Sequence, residues 1–205
     1  MSIIKLKNNA LDNLTSFEGS ASLGDMVLVS SATASASSSI EFTLGDYKEY
    51  KFFFVNISPQ TNGTYFQMNL SIDNGSNYNV TKTSSAFEAI HTESNSLASL
   101  RYSSFANADL AQSTANQDLT EVIPQNAGEE DSSASGILQL FNPASSVYVK
   151  HYISNFNQVA DGGSLYSWET FKAGYANTVS PLTNIRFSMS SGNIDDGKIL
   201  MFGLN

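Results

Sequence analysis

The stretch that decides the fold class is Tyr65-Phe66-Gln67-Met68-Asn69-Leu70-Ser71-Ile72. Its apolar residues occupy every second position, and the side chains of an extended strand alternate between two faces. The pattern therefore predicts a β-strand with one buried face and one polar face. The next residues, Asp73-Asn74-Gly75-Ser76, favour a turn because Asn and Gly tolerate positive φ. A second strand over residues 78–83 is predicted to complete a hairpin or to follow a short loop.

Short apolar segments bounded by Gly, Pro, Asn or Ser recur along the rest of the chain. They predict further strands at residues 39–44, 50–57, 138–141, 147–153, 175–179, 184–189 and 198–202. The first two flank Gly45-Asp46 and are predicted to pair, the second as a central strand because it is apolar on both faces. Residues 84–91 are the best helical candidate, although they fit a strand equally well.

About nine short strands without a βαβ rhythm predict an all-β protein, an antiparallel β-sandwich that is jelly-roll-like, with a barrel as the alternative. Residues 30–39 consist only of Ser, Ala and Thr, which is typical of a flexible linker. They separate an extended N-terminal arm (1–29) from a single β-sandwich domain (40–205). Residues 112–135 are polar and rich in turn residues, and they predict a long exposed loop.

The composition narrows the classes of partner. Ten basic residues against 19 acidic ones give a formal net charge of −9, which disfavours binding to nucleic acid and to anionic lipid. No apolar run approaches the roughly 20 residues needed to span a bilayer. The apolar part of residues 1–7 is too short for a signal peptide. Because cysteine is absent, disulfides and thiolate metal sites are excluded. We expect a soluble protein without a membrane-inserted segment.

Catalytic motifs are missing from the sequence. It contains neither a Gly-x-Ser-x-Gly nucleophile elbow nor a His-Glu-x-x-His pattern. Of the two histidines, His151 lies in an alternating apolar segment and is predicted to be half-buried, whereas His91 is predicted to lie at the surface or in an interface. We therefore predict no catalytic residues and no cofactor. Carboxylates that converge from distant strands, as in a glycan depolymerase, are the remaining enzymatic alternative.

Acidic clusters occur at Asp195-Asp196 and at Glu129-Glu130-Asp131. Calcium needs six to eight oxygen ligands, and solvated turn acids explain both clusters more simply. The Asp73-Asn74-Gly75 turn lacks the glutamate that an EF-hand loop carries at its twelfth position, where this chain has Ser84. The sequence therefore predicts no metal site.

Two aromatic residues are candidates for contact with a sugar or a partner. Tyr166 and Trp168 follow Asp161-Gly162-Gly163 in a predicted loop. Exposed aromatic rings can stack on sugar faces, which would suit a lectin-like adhesin. A packed loop anchor is the alternative interpretation of the same two residues.

Several sequence blocks follow one another in a characteristic order. They are Ile3-Ile4-Lys5-Leu6-Lys7-Asn8-Asn9-Ala10, Tyr47-Lys48-Glu49-Tyr50 through Asn56, Asn74-Gly75-Ser76-Asn77-Tyr78-Asn79-Val80-Thr81-Lys82-Thr83, Asp109-Leu110-Ala111-Gln112-Ser113-Thr114, Leu140-Phe141-Asn142-Pro143, Tyr148-Val149-Lys150-His151-Tyr152 and Ser190-Ser191-Gly192-Asn193-Ile194-Asp195. In this order they resemble small virion structural proteins of marine tailed bacteriophages, of the cyanophage or pelagiphage type. The resemblance extends over residues 1–16 and 45–204. These blocks are strand and turn signatures rather than site signatures.

The resemblance implies a non-enzymatic virion protein that assembles in the bacterial cytoplasm and is then carried on the exterior of the particle. Capsid decoration, a head fibre and a tail-associated position stay open, as does a receptor-binding adhesin that touches host surface glycan. We expect the arm, through Ile3, Ile4 and Leu6, to bind other virion proteins. Virion proteins of this kind work in symmetric copies, so a homo-oligomer is expected, with a trimer as one arrangement.

Overall fold

A computed structural model of the chain describes residues 26–103, 107–124, 133–161 and 165–205. These residues form twelve β-strands, and none of them lies in an α-helix. The strands are β1 (Val27–Thr33), β2 (Ile40–Thr43), β3 (Glu49–Pro59), β4 (Phe66–Ser71), β5 (Lys82–Thr92), β6 (Ala98–Tyr102), β7 (Gln117–Asp118), β8 (Ala134–Phe141), β9 (Lys150–Asp161), β10 (Leu165–Ala176), β11 (Asn184–Met189) and β12 (Ile194–Leu204). The predicted all-β class is confirmed.

The strands form two antiparallel sheets that pack as a sandwich. The large sheet has eight strands in the order β1-β12-β3-β8-β9-β10-β5-β6, and the small sheet has four in the order β2-β11-β4-β7. Early strands pair with late ones in nested order, β1 with β12, β2 with β11, β5 with β10 and β8 with β9. The predicted antiparallel β-sandwich is therefore confirmed.

An aromatic cluster fills the space between the sheets. Alternate residues of β3 point inward, so Phe52 and Phe54 meet rings from β4, β9 and β11. The ring centroids of Phe54 and Phe187 are 5.0 Å apart, as are those of Phe54 and Phe156. Phe54 and Phe66 lie 5.5 Å apart with their rings edge to face. The prediction of a central strand at residues 50–57 is confirmed.

The strand predicted at residues 65–72 forms as β4, but the prediction that one of its faces is polar and open is wrong. All six residues of β4 are buried. Asn69 donates a hydrogen bond to the Thr114 carbonyl oxygen over 3.1 Å, and Gln67 donates one to Asp118 over 2.6 Å. Residues far along the chain therefore cover the polar face, which the alternating pattern by itself does not reveal.

The predicted pairing across Gly45-Asp46 is wrong, and of the two alternatives after Asp73-Asn74-Gly75-Ser76 the hairpin is wrong, although both turns form. At the first turn, β2 belongs to the small sheet and β3 to the large one. At the second, Asn74 and Gly75 adopt the expected positive φ values of 58° and 81°, but the chain then crosses to the large sheet and begins β5. Turn residues set the local change of direction, whereas the sheet that each strand joins depends on distant partners.

The Ser- and Ala-rich stretch is not a flexible linker in the described structure. Residues 30–33 belong to β1, which pairs antiparallel with β12, and Ser37 forms a further bridge with Ile194. Backbone hydrogen bonds hold this edge strand, and such bonds do not depend on the type of side chain. The composition of residues 30–39 therefore did not indicate a strand. The sandwich therefore begins before residue 40. Residues 1–25 of the predicted arm, with Ile3, Ile4 and Leu6, lie outside the described residues.

Other boundaries differ from the sequence predictions. Residues 84–91 form β5 rather than a helix. The segments predicted at 147–153 and 175–179 overlap only one end each of the longer strands β9 and β10. The predicted exposed loop at 112–135 is wrong at residues 117–121, which are all buried, while residues 125–132 lie outside the description. The described part of the structure holds no helix long and apolar enough to cross a lipid bilayer.

Candidate interaction surface

The large sheet has an outer face that the small sheet does not cover. On each strand, every second side chain points toward this face, because neighbours along a strand alternate. One register row crosses all eight strands on this side, and we call it the outer row. Its members are Ser31, Leu200, Phe53, Ile137, Asn155, Phe171, Phe87 and Tyr102.

Most side chains of the outer row are apolar, and all are at least partly exposed. Ile137 is 43% exposed, Phe87 48% and Tyr102 58%. Phe87 stacks on Phe171 with their ring centroids 4.7 Å apart, so these two rings already pack against each other on the outer face. Apolar neighbours outside the row, among them Val55, Leu100 and Ile153, are exposed as well. Exposed apolar residues gathered on one face of a sheet make that face a candidate interaction surface.

Charged groups flank the outer row at matching heights. Lys198 on β12 lies two residues before Leu200, and Glu169 on β10 lies two residues before Phe171. Lys198 is exposed, and Glu169 accepts a hydrogen bond from the Asn155 amide over 3.1 Å. Lys51 and Glu49 on β3 neutralise each other with their charged atoms 3.6 Å apart. The outer face thus carries Lys198 on one side of its apolar centre and Glu169 on the other, and the exposed Asp195 and Asp196 precede Lys198 at the start of β12.

The chain matches none of the family models, curated proteins or solved structures with which it was compared.

Strand β1 adds an open edge to the same surface. Its first apolar residues, Val27, Leu28 and Val29, are exposed although their side chains alternate between the two sides of the sheet. Met26, just before the strand, is exposed too. Edge strands are usually protected by charges, prolines or bulges because their free backbone groups can pair with another chain. The apolar start of β1 carries no charged residue, and its protection is limited to a register shift between Leu28 and Ser30.

A second feature is a buried layer of polar side chains. Residues 107–124, which we call the polar strap, form one side of this layer. The strap fills the space between β4 and the inner side of β5, β9 and β10. Thr170 donates to the Leu119 carbonyl oxygen over 3.0 Å, and Gln158 donates to the Val122 carbonyl oxygen over 2.8 Å. Because the strap supplies its own backbone carbonyls as acceptors, polar side chains of the large sheet remain satisfied away from water.

Ionisable groups are enclosed beneath the polar strap. Lys172 Nζ lies 3.6 Å from a carboxylate oxygen of Glu121, and both side chains are almost fully buried. Burial raises the pKa of Glu121 to about 7 in spite of Lys172, and it lowers the pKa of Lys172. Burial also raises the pKa of Asp118 and lowers that of Lys82 to about 8. These shifts follow from desolvation inside a packed layer rather than from an open cleft.

The aromatic pair proposed as a sugar contact lies in strand β10, not in a loop. Trp168 donates its indole N–H to Glu88 over 3.0 Å, and the Arg101 guanidinium lies 5.6 Å from the centre of its ring. Tyr166 meets Trp168 edge to face, with centroids 6.3 Å apart. Both rings are only partly exposed. This packing agrees with the anchor interpretation, and contact with a glycan stays a prediction.

The other candidate residues are dispersed. His151 is exposed, which makes its predicted half-burial wrong: it points to the outer side of β9, as does the 51%-exposed Ile153. His91 is exposed as predicted and lies 3.1 Å from the Asn95 amide oxygen. Asp195 and Asp196 are exposed, and residues 129–131 lie outside the description. Within the described residues, no group of three or more His, Asp or Glu side chains could hold a metal ion.

Sequence reasoning missed the residues that form the interaction surface. The sequence predicts Phe53 in a central strand that is apolar on both faces, whereas the structure leaves one of these faces open. Phe87 falls in residues 84–91, which fit a helix or a strand, and Ile137 precedes the strand predicted at 138–141. The available signal was the excess of apolar residues on both faces of β3 and β5. It becomes informative only when the neighbours of each strand are known.

Proposed function

We propose that this chain is a non-enzymatic structural protein on the exterior of a bacteriophage particle, where it works through contacts with other virion proteins. The observation that supports this most strongly is the exposed apolar outer face of the large sheet. A face that crosses eight strands and carries Ile137, Phe87 and Tyr102 in the open needs a protein partner. The sequence resemblance to phage virion proteins supplies the setting.

The distribution of ionisable groups supports contact rather than chemistry as the role. Glu121 and Asp118 of the polar strap and Lys172 of the large sheet are each at most 3% exposed and are enclosed between the strap and the sheet. A general acid or base has to reach a substrate within hydrogen-bonding distance. Groups that are buried against one another instead hold a segment of chain in place.

The N-terminal residues fit the same role. The described structure begins at Met26, directly before β1, which is the edge strand of the large sheet. An arm at an edge can reach a neighbouring subunit or the surface of a shell, and Ile3, Ile4 and Leu6 would provide its apolar contacts. Capsid decoration, a head fibre and a tail position are all served by this arrangement.

The test is to look for the chain on purified particles of the phage that encodes it. Mass spectrometry of gradient-purified particles should detect the chain in stoichiometric amounts, and its absence would refute the proposal. Immunogold labelling of intact particles should then give surface label. Label spread over capsids would assign decoration or a head fibre, and label confined to the tail would assign a role in host adsorption. Unlabelled particles that open to reveal the protein inside would contradict an exterior position.

A further inference from the structure

The outer face of the large sheet is complementary to itself, and this property indicates what binds to it. We propose that a second copy of the same chain covers it, in a face-to-face dimer whose two-fold axis runs along β8. The inference deepens the proposed function and rests on it for the biological setting, although the dimer itself is a property of the isolated chain. Three features of the face carry it, namely its charges, its apolar centre and its size.

The charges define the axis. In the large sheet β8 lies midway between β12 and β10, with β3 and β9 in between. Since successive neighbours are antiparallel, β12 and β10 run in the same direction. Lys198 and Glu169 each lie two residues before the outer row, so they stand at the same height on opposite sides of β8. A two-fold axis along β8 places Lys198 of each copy against Glu169 of the other, which forms two ion pairs for each dimer.

The same two-fold rotation also brings apolar residues of the two copies together. Ile137 on β8 lies on the axis and meets its own equivalent. Leu200, two strands to one side, is placed over Phe171, two strands to the other side. An axis perpendicular to the strands through the outer row would instead place Lys198 of one copy over Phe202 of the other, which would leave the lysine without an opposite charge. Opposite charges at the edges and apolar groups in the middle resemble the polar rim and apolar core of stable interfaces.

The size of the face is sufficient. Eight strands spaced about 4.8 Å apart span about 34 Å, and a strand of eleven residues such as β3 extends about 37 Å. This gives a face of roughly 1,200 Å², whereas a standard interface buries about 800 Å² on each partner. Two twisted sheets of the same hand also stack well, as in the interiors of β-sandwiches. The outer face can therefore hold a copy of itself without help from other surfaces.

A charge-swap series on the full-length chain tests the pairing, with sedimentation velocity to obtain the dimer dissociation constant. We expect Lys198→Glu and Glu169→Lys each to weaken the dimer roughly 100-fold, since each places like charges together at two symmetric positions. The double variant restores opposite charges and should return to within about threefold of the original constant. Failure of the double variant to recover, or a wild-type chain that stays monomeric at high micromolar concentration, would overturn the proposal.

Matched controls separate pairing from net charge. Lys48→Glu and Asp46→Lys make the same charge changes in the exposed loop before β3 and should leave the dissociation constant unchanged. Ile137→Asp puts two carboxylates on the axis and should abolish the dimer, whereas Val147→Asp, at an exposed loop residue, should not. Weakening by the loop variants as strong as by the face variants would refute the axis. Retention of the dimer in Ile137→Asp would also refute it, as would a trimer held by residues 1–25.

Failure of this inference is distinguishable from failure of the proposed function. A monomeric chain that is nonetheless detected on purified particles overturns the dimer and leaves the virion role in place. A dimer with the expected charge-swap behaviour that is absent from particles supports the inference and overturns the role.

Discussion

Between the two sheets, Phe52, Phe54 and Phe187 pack ring against ring, whereas beneath the polar strap the buried side chains are mainly Lys, Glu, Gln and Thr. The aromatic cluster is held by non-directional burial, which tolerates small adjustments of position. The polar layer is held by hydrogen bonds that require matched donors and acceptors. One interior thus supplies most of the stability, and the other determines where residues 107–124 must lie.

The difference also explains why the large sheet can be so wide. The small sheet has only four strands and covers only part of the inner side of its eight-stranded partner. Strap residues outside β7 cover β5, β9 and β10 instead, and they do so with backbone carbonyls that would be costly to bury against apolar side chains. The strap can therefore cover those strands only because polar residues such as Lys172 and Gln158 donate hydrogen bonds to its carbonyl oxygens.

The largest expected effect is the loss of a ring from the aromatic cluster. Phe54→Ala removes a side chain that contacts the rings of Phe52, Phe66, Phe156 and Phe187, and we expect the free energy of unfolding to fall by about 4 to 5 kcal/mol. Urea unfolding followed by tryptophan fluorescence measures this loss. A decrease below that of a half-exposed position such as Phe87→Ala would contradict the assignment of the cluster as the main core.

Breaking the buried ion pair tests the polar layer. Lys172→Met leaves the Glu121 carboxylate buried without its cation, and we expect a loss of about 3 kcal/mol above neutral pH. Below neutral pH the loss should shrink, because Glu121 then takes up a proton. The double variant Lys172→Met with Glu121→Gln should recover much of the loss. Lys48→Met in an exposed loop is the control and should be nearly neutral, and a loss that does not depend on pH would refute the role of Glu121.

The stability of the protein should also depend on pH through Glu121 itself. Burial raises the pKa of this carboxyl from 4.5 to about 7, so the folded chain binds the proton more tightly than the unfolded chain. The stabilisation from this group is complete below about pH 4.5 and is lost as the pH rises to about 7, an effect of roughly 3 kcal/mol. Chemical unfolding across this range should show a steeper decline in the wild type than in Glu121→Gln. Equal slopes would contradict the prediction.

A smaller loss of stability is expected from a substitution at Gly136, where β8 packs closely against β9. A Cβ on Gly136 would collide with the Asn155 carbonyl oxygen and the Phe156 ring, so Gly136→Ala should lower the free energy of unfolding by about 1 to 3 kcal/mol. Gly45→Ala is the matched control, since its Cβ would lie 3.4 Å from the Tyr50 hydroxyl, an ordinary contact. Thermal unfolding compares the two, and equal melting temperatures would argue against the tight approach of β8 to β9.

The smallest effect belongs to the outer face. Phe87 and Phe171 stack on the free side of the sheet, and a double-mutant cycle to alanine should give a coupling energy of about 1 kcal/mol. The cycle should be measured at low protein concentration, so that association does not add to the coupling. Coupling near zero would show that the stacked pair contributes to the surface rather than to the stability of the sheet.

Strands with strict alternation or a clear apolar run were predictable. Residues 184–189 form β11 with the predicted bounds, and residues 65–72 contain β4. The buried state of Gln67 and Asn69 was not predictable, because their partners Asp118, Thr114 and Asn116 lie more than forty positions away. Polar residues ordinarily indicate exposure, and the exception arises only when a distant segment offers matching hydrogen bonds.

The candidate surface was not predictable either. Tyr166 and Trp168 were selected because they follow a pair of glycines, yet the strand that contains them carries both rings into packed surroundings. The outer row joins residues from eight strands, and its members share no local pattern. Register between strands creates the row, so a single strand contains only one of its residues.

The sequence by itself determined the all-β class, the positions of several strands and turns, and the lack of thiol chemistry, because these depend on composition and on contacts between near neighbours. Only the tertiary structure decided which sheet each strand joins, that residues 117–121 are buried and that an apolar face remains open across the large sheet. The physical reason is that burial is a property of pairs of surfaces. The side chain of a residue determines how much free energy its burial contributes, whereas the distant segment that covers it determines whether it is buried.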